Sequence, residues 1–293
     1  MTASSNLATE ANINPQTSSR WHCLKENNSN DVHWCWLPGW SFTAEVFLPL
    51  IESLPGTHWG ANYLTDTFLT DTQLTDNASP EAVAQQLFNQ APKPAIWIGW
   101  SLGGALAVLA TQLSAQVVNK AMTESSDSAL PSESPIKGLI TLAAARTFIS
   151  DDCSNEIGGM PKDTFAAFRQ SLINTPSVTL KRFAGLCVQG HPRGRQILKE
   201  LRKYQHPEDQ QQALLHTLDW LQIIDLSQTM HTLPISDKNC VHMYGQQDAL
   251  SPLPLLAAKT NNGNSHAFFL AEAGQQEVIE QLLSFTANAS TNP

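Results

Sequence analysis

Gly99-Trp100-Ser101-Leu102-Gly103 carries the clearest chemistry in the chain, a serine between two glycines in the pattern G-x-S-x-G. A serine hydroxyl attacks a carbonyl only when a base takes its proton, and histidine is the side chain suited to that near neutral pH. His266 is the only one of nine histidines that follows Asp248, and Ser101, Asp248, His266 is the chain order nucleophile, acid, base. Attack on an ester also creates an oxyanion, which needs two convergent N–H donors. Leu102, directly after the serine, is expected to supply one. Trp40, in the loop Pro38-Gly39-Trp40-Ser41, is expected to supply the other. Asp151 and Asp152 are the alternative acids.

These residues need particular elements to position them. The apolar run at residues 94–99 (PAIWIG) reads as a strand, and the segment after Ser101 (LGGALAVLATQLSAQVV) as a helix. The serine then sits on a sharp strand-to-helix turn, where flanking glycines give the turn room and the helix N-terminus favours negative charge. Strands are expected at residues 32–37, 57–64, 136–145 and 239–245, and helices at 80–89 and 277–285. This alternation implies an α/β-hydrolase fold, a mostly parallel sheet with helices on both faces. Only eighteen residues separate Asp248 from His266. The last strand is therefore either trimmed to a few residues around 262–265 or formed by Ala267-Phe268-Phe269-Leu270.

Residues 150–227 contain helical stretches and no convincing strand, and read as an inserted helical lid. The core is then 21–149 and 228–293, after a disordered tail at 1–20. Residues 120–135, rich in Ser, Glu and Pro, read as a mobile surface insertion.

At 293 residues, 42% hydrophobic and 15% charged, the chain can bury a large core. A net charge of −9 argues against nucleic acid as a partner. No apolar run is long enough to span a membrane. Five scattered cysteines without a CxxC pair fit a reducing compartment, so a cytoplasmic protein is expected. The His and Cys spacings offer no metal site, and the chemistry needs no cofactor. Charge is unevenly spread: seven of seventeen basic residues fall between Val178 and Tyr204, against one acid, Glu200. The bland reading is a solvated helical face; the functional one is a surface that steers an acidic partner.

Several blocks resemble the pimeloyl-[acyl-carrier protein] methyl ester carboxylesterases of biotin synthesis. They are Gly39-Trp40 with Ala44-Glu45-Val46, residues 95–104 (AIWIGWSLGG), Phe165-Ala166-Ala167-Phe168, Lys181-Arg182-Phe183, Tyr244-Gly245 with Asp248, and His266-Ala267 with Phe269. The resemblance implies hydrolysis of the methyl ester of pimeloyl-acyl carrier protein, releasing methanol. It implies Trp40 and Leu102 at the oxyanion, Trp40 and Phe183 along the acyl channel, and Arg182, Arg195 and Lys199 against the carrier protein. Pro38 stands where the family has histidine, and Val178 where it has arginine. A monomer is expected. The rival readings are a broad carboxylesterase for short free esters, a thioesterase cutting the acyl–carrier bond, and a binding protein that has lost the chemistry.

Overall fold

The computed structural model describes residues 19–27, 32–64, 79–124, 135–150, 159–227, 229, 233, 235–251, 259–261 and 265–289. Most of the expected tail, most of the 120–135 insertion, Asp151 and Asp152 lie outside them.

The main sheet has seven strands: β1 (Trp21–Lys25), β2 (His33–Leu37), β3 (Thr57–Ala61), β4 (Ala95–Trp100), β5 (Ile136–Leu142), β8 (Cys240–Gly245) and β9 (Lys259–Asn261). Their spatial order is β1-β3-β2-β4-β5-β8-β9. β1 runs antiparallel to β3 and every other neighbouring pair is parallel. Every residue of β4 is buried, as are four of five in β2, which is why these strands read as unbroken apolar and aromatic runs. Helices α1 (Leu48–Ile51), α2 (Pro80–Gln90), α3 (Leu102–Glu124) and α8 (Glu272–Ala289) belong to this core. Helix α2 starts where the Ser79 hydroxyl accepts the Ala82 N–H over 3.2 Å, with Pro80 in the first turn.

The connection from β2 leads outward to β3, whereas that from β4 leads the other way to β5. The crevice between the carboxyl ends of β2 and β4 is thus a topological switch point, where such sheets bind ligands. Pro38–Phe42 and Ser101 flank it.

Between β5 and β8 the described residues add no strand to the main sheet. They form the helices α4 (Lys162–Asn174), α5 (Pro176–Cys187), α6 (Gly194–Leu201) and α7 (Gln211–Ile223). Two-residue strands β6 (Ile149–Ser150) and β7 (Met160–Pro161) pair in a small separate sheet, correcting the expectation that this region is free of strands. Further differences concern one strand not expected, the tail boundary and two strand ends. β1 was not legible, because WHCLK alternates weakly. Arg20, assigned to the tail, is buried, and its side chain bonds Gln86 of α2 over 3.0 Å. The strand expected at 57–64 stops at Ala61, and that at 136–145 stops at Leu142, where Ala143 turns to a φ of 51°.

Tryptophans fill much of the core, and His58 is sandwiched among them. Its ring stacks on Trp34 and Trp36, both at 5.9 Å, and its Nδ1 accepts the Trp36 indole N–H over 3.1 Å. Burial first, and then the nearby Lys25 ammonium, lower its pKa to about 4. Burial lowers His242 on β8 to about 4 as well. Both histidines are neutral in the fold and titrate near the ordinary value of about 6.5 once unfolded. Unfolding therefore takes up protons between about pH 6.5 and pH 4, and stability present above that window is lost as pH falls through it. Each histidine contributes a slope of up to about 1.4 kcal/mol per pH unit. Denaturant midpoints at pH 7, 6 and 5 are expected to fall in order. A midpoint that stays flat over that range would contradict the assignment.

Candidate active site

Ser101 lies at the turn between β4 and α3 with a φ of 53°, in the left-handed region that an L-residue enters at a cost. Its N–H bonds the Leu142 carbonyl over 2.8 Å, which ties the turn to β5. The glycines are demanded by close approach. A Cβ on Gly103 would run into the Leu37 and Pro38 carbonyls, and one on Gly99 would meet the Gly104 Cα at 2.5 Å. Helix α3 therefore lies directly against the start of the 38–42 loop. Leu102 is the first residue of α3, so its N–H has no acceptor within the helix.

The 38–42 loop is a tight turn closed by Phe42 N–H to Gly39 O at 3.1 Å, with Ser41 at a φ of 67° and Trp40 near its apex. The Trp40 indole N–H bonds Leu214 O on α7 over 2.9 Å. Its ring meets Phe183 edge-on at 4.8 Å and Phe168 at 5.7 Å. Trp40 and Phe183 are thus brought together in an aromatic group under the inserted helices. The insertion is also joined to this loop by the main chain. Thr43 N–H bonds Tyr204 O and His206 N–H bonds Ser41 O, each over 2.8 Å.

Asp248 follows β8 and is buried. One carboxylate oxygen accepts the N–H groups of Leu250 and Ser251, over 2.8 and 3.0 Å. The other lies 2.8 Å from Nδ1 of His266. A carboxylate can only accept, so Nδ1 carries the proton and Nε2 is left as the acceptor. Nε2 is buried and has no hydrogen-bond partner among the described residues, Ser101 included.

Before His266 the described residues hold β9, a three-residue strand at the sheet edge paired parallel to β8; residues 262–264, where the first alternative placed a trimmed strand, lie outside the described residues. Phe268–Leu270 form a single 3-10 turn, which corrects the second alternative, a strand at 267–270. His266 therefore follows the carboxyl end of a three-residue strand, on the same side of the sheet as Ser101.

Sequence reasoning missed two groups around His266. The Trp100 indole N–H bonds the His266 carbonyl over 3.0 Å. The Cys187 carbonyl, at the end of α5, accepts the Ala267 N–H over 2.9 Å. Burial, and then the charge of Asp248, push the Cys187 thiol well up, so it sits as a neutral, unreactive group. No local pattern marks either contact, since both join segments remote in sequence.

Two cavities bear on access. The one at Ser101 measures about 20 Å³, room for one water molecule, between Arg146, Phe148, Leu221, Ile224 and Ser251. A larger groove of about 570 Å³ lies in the insertion, with Phe168, Leu186 and Leu198 as apolar wall and Arg182 and Arg195 beside them. Phe168 belongs to this groove and also touches Trp40, so an aromatic partition one residue thick separates the groove from the 38–42 turn. Lys199 lies on the exposed side of α6 and is not among the residues of the groove wall.

The fold matches solved structures over nearly their whole length. An esterase from Exiguobacterium antarcticum superposes with a TM-score of 0.63 at 16% identity, over 91% of this chain and 94% of that one. MenH from S. aureus superposes with a TM-score of 0.59 at 13% identity, over 93% and 99%. The chain has the α/β-hydrolase fold. Among curated relatives of this chain, a pimeloyl-[acyl-carrier protein] methyl ester esterase from Vibrio vulnificus strain YJ016 is 28% identical over 278 residues. That alignment covers 88% of this chain and 98% of the relative. A protein of the same name from Klebsiella pneumoniae strain 342 is 28% identical over 241 residues, 80% of this chain and 83% of the relative. No protein-family model matches the chain. Among the described residues no helix is long and apolar enough to cross a membrane, and no cluster of three His, Cys, Asp or Glu could hold a metal.

Proposed function

We propose that this chain hydrolyses the methyl ester of a pimeloyl chain carried on acyl carrier protein, giving methanol and the free carboxylate for biotin synthesis. The observation that carries the chemistry is the buried Asp248–His266 pair, with Nε2 open, next to a serine elbow. His266 takes the Ser101 proton as Oγ attacks the ester carbonyl, and the Leu102 and Trp40 amides hold the oxyanion. Methanol leaves with the proton from His266. Water, activated by the same base, then releases the acid from the acyl-serine.

The substrate reading is supported by the relatives' names and by charge. Lys181, Arg182, Arg195, Lys199 and Arg202 are all exposed, and none has a carboxylate partner among the described residues. Only Arg193 and Lys203 of this group are paired, to Glu272 and Glu200. Unpaired cations on a protein of net charge −9 suit a strongly acidic carrier, which they would steer and orient. The groove between Arg182 and Arg195 suits the flexible arm of such a carrier.

Incubation with methyl pimeloyl-carrier protein, followed by mass analysis, tests the reading. Loss of one methyl group with the acyl–carrier bond intact is expected. Release of the free carrier would make the chain a thioesterase instead. In the same assay, reversing charge at Arg182, Arg195 and Lys199 is expected to lower kcat/KM for the carrier-linked ester by about tenfold or more. A small soluble ester should be hydrolysed within about twofold of the unaltered rate, because rim charges act on encounter and not on chemistry. The cavity of about 20 Å³ at Ser101 favours the second reading, a carboxylesterase for short free esters. Equal losses on both substrates would favour that reading.

A further inference from the structure

We propose that Trp100 is a positioning residue for the base, acting through the main chain of His266; this rests on the triad reading above. A tryptophan buried in a core must find an acceptor for its N–H, and the choice of acceptor fixes what the ring holds in place. Here the acceptor is the carbonyl of His266 itself, at 3.0 Å. The Trp100 ring also lies 5.7 Å from the imidazole and 5.2 Å from Phe269, so it walls the base segment as well as bonding it. Its other neighbours belong to the oxyanion side. Phe42 is 5.0 Å away, and a Cβ on Gly39 would come within 2.9 Å of the ring. One side chain, joined to Ser101 by a single peptide bond, thus supports both the turn that faces the oxyanion and the segment that carries the base.

The base segment needs such support because β9, the strand that leads to it, is only three residues long and lies at the sheet edge. Three described contacts hold His266 and Ala267: the Asp248 carboxylate on the ring, the Cys187 carbonyl on the Ala267 amide, and the Trp100 indole on the His266 carbonyl. Removing the indole N–H leaves that carbonyl unpaired and frees the backbone from which the imidazole projects. Small displacements of a catalytic group are costly to turnover and need not change substrate binding.

The test is Trp100→Phe in the full chain, assayed on a small soluble ester alone and in a His266→Ala background. In the otherwise unaltered protein, kcat is expected to fall between about tenfold and a hundredfold, with KM within about twofold. In the His266→Ala background the same substitution should change residual turnover by less than about twofold, since a residue acting through the base has nothing left to position. An unchanged kcat, or the same loss in both backgrounds, overturns the proposal. If Trp100→Phe does not fold, benzothienylalanine at position 100 keeps the ring outline and removes only the N–H, and the same two comparisons apply. Ser101→Ala and His266→Ala run alongside. Full turnover in either means that the triad reading has failed, whereas loss in both with an unaffected Trp100→Phe refutes the positioning role alone.

Discussion

Ser101→Ala is expected to lower turnover of a methyl or nitrophenyl ester by about 10⁴-fold or more, equivalent to roughly 5.5 kcal/mol of transition-state stabilisation. The substitution removes the attacking oxygen and little else. The bond from the residue-101 N–H to the Leu142 carbonyl belongs to the main chain and survives. The backbone at φ 53° is no harder for alanine than for serine to adopt, so the thermal midpoint should stay within a few degrees. Labelling by a fluorophosphonate, which reports an activated serine, should vanish together with turnover. A variant that hydrolysed esters at the original rate would show that Ser101 is not the nucleophile and that another residue attacks the ester.

Asp248→Asn should cost nearly as much, about 10³- to 10⁴-fold in kcat, by a subtler route. The asparagine oxygen can still accept the Leu250 and Ser251 amides, so the loop after β8 has no reason to move. Its amide nitrogen would then face Nδ1 of His266 across the 2.8 Å now spanned by a carboxylate oxygen. Two donors cannot share that contact, so the imidazole must shift its proton to Nε2. Nε2 then becomes a donor, and the acceptor that Ser101 needs is gone. The expected signature is a large fall in kcat with a nearly unchanged melting temperature. Retention of more than a tenth of the original kcat would mean that Asp248 does not set the tautomer.

The parts of this site that were legible in sequence are those set by local pattern. The elbow could be read because Gly99, Ser101 and Gly103 sit at fixed spacing between an apolar strand and a small-residue helix. The structure adds why the glycines are required, since neighbouring backbone occupies the space a Cβ would take. Asp248 was legible because it follows a compact strand by a short loop. His266 was harder. Residues 259–261 (KTN) include one β-branched residue, Thr260, but none of the apolar side chains of β4, because a short edge strand needs no two-sided burial. AFFL at 267–270 has that signature but forms a turn, its phenylalanines buried by packing against α8 and the Trp100 cluster. Apolar composition reported burial there and not extension. The contacts from Trp100 and Cys187 to the base segment were beyond reach, as each joins residues more than seventy positions apart.

The main-chain bonds between residues 204–206 and the 41–43 turn make the helical insertion a partner in building the crevice beside Ser101, and not a detachable accessory. A chimera that exchanged residues 159–227 for the corresponding region of another protein of this fold would strip the 38–42 turn of its bridging strand-like edge and of the indole's acceptor on Leu214. On the proposed function, substrate range would then be tied to the integrity of the turn that faces Ser101. Altering what the protein accepts is easier by changing side chains within the existing helices than by transplanting the helices whole.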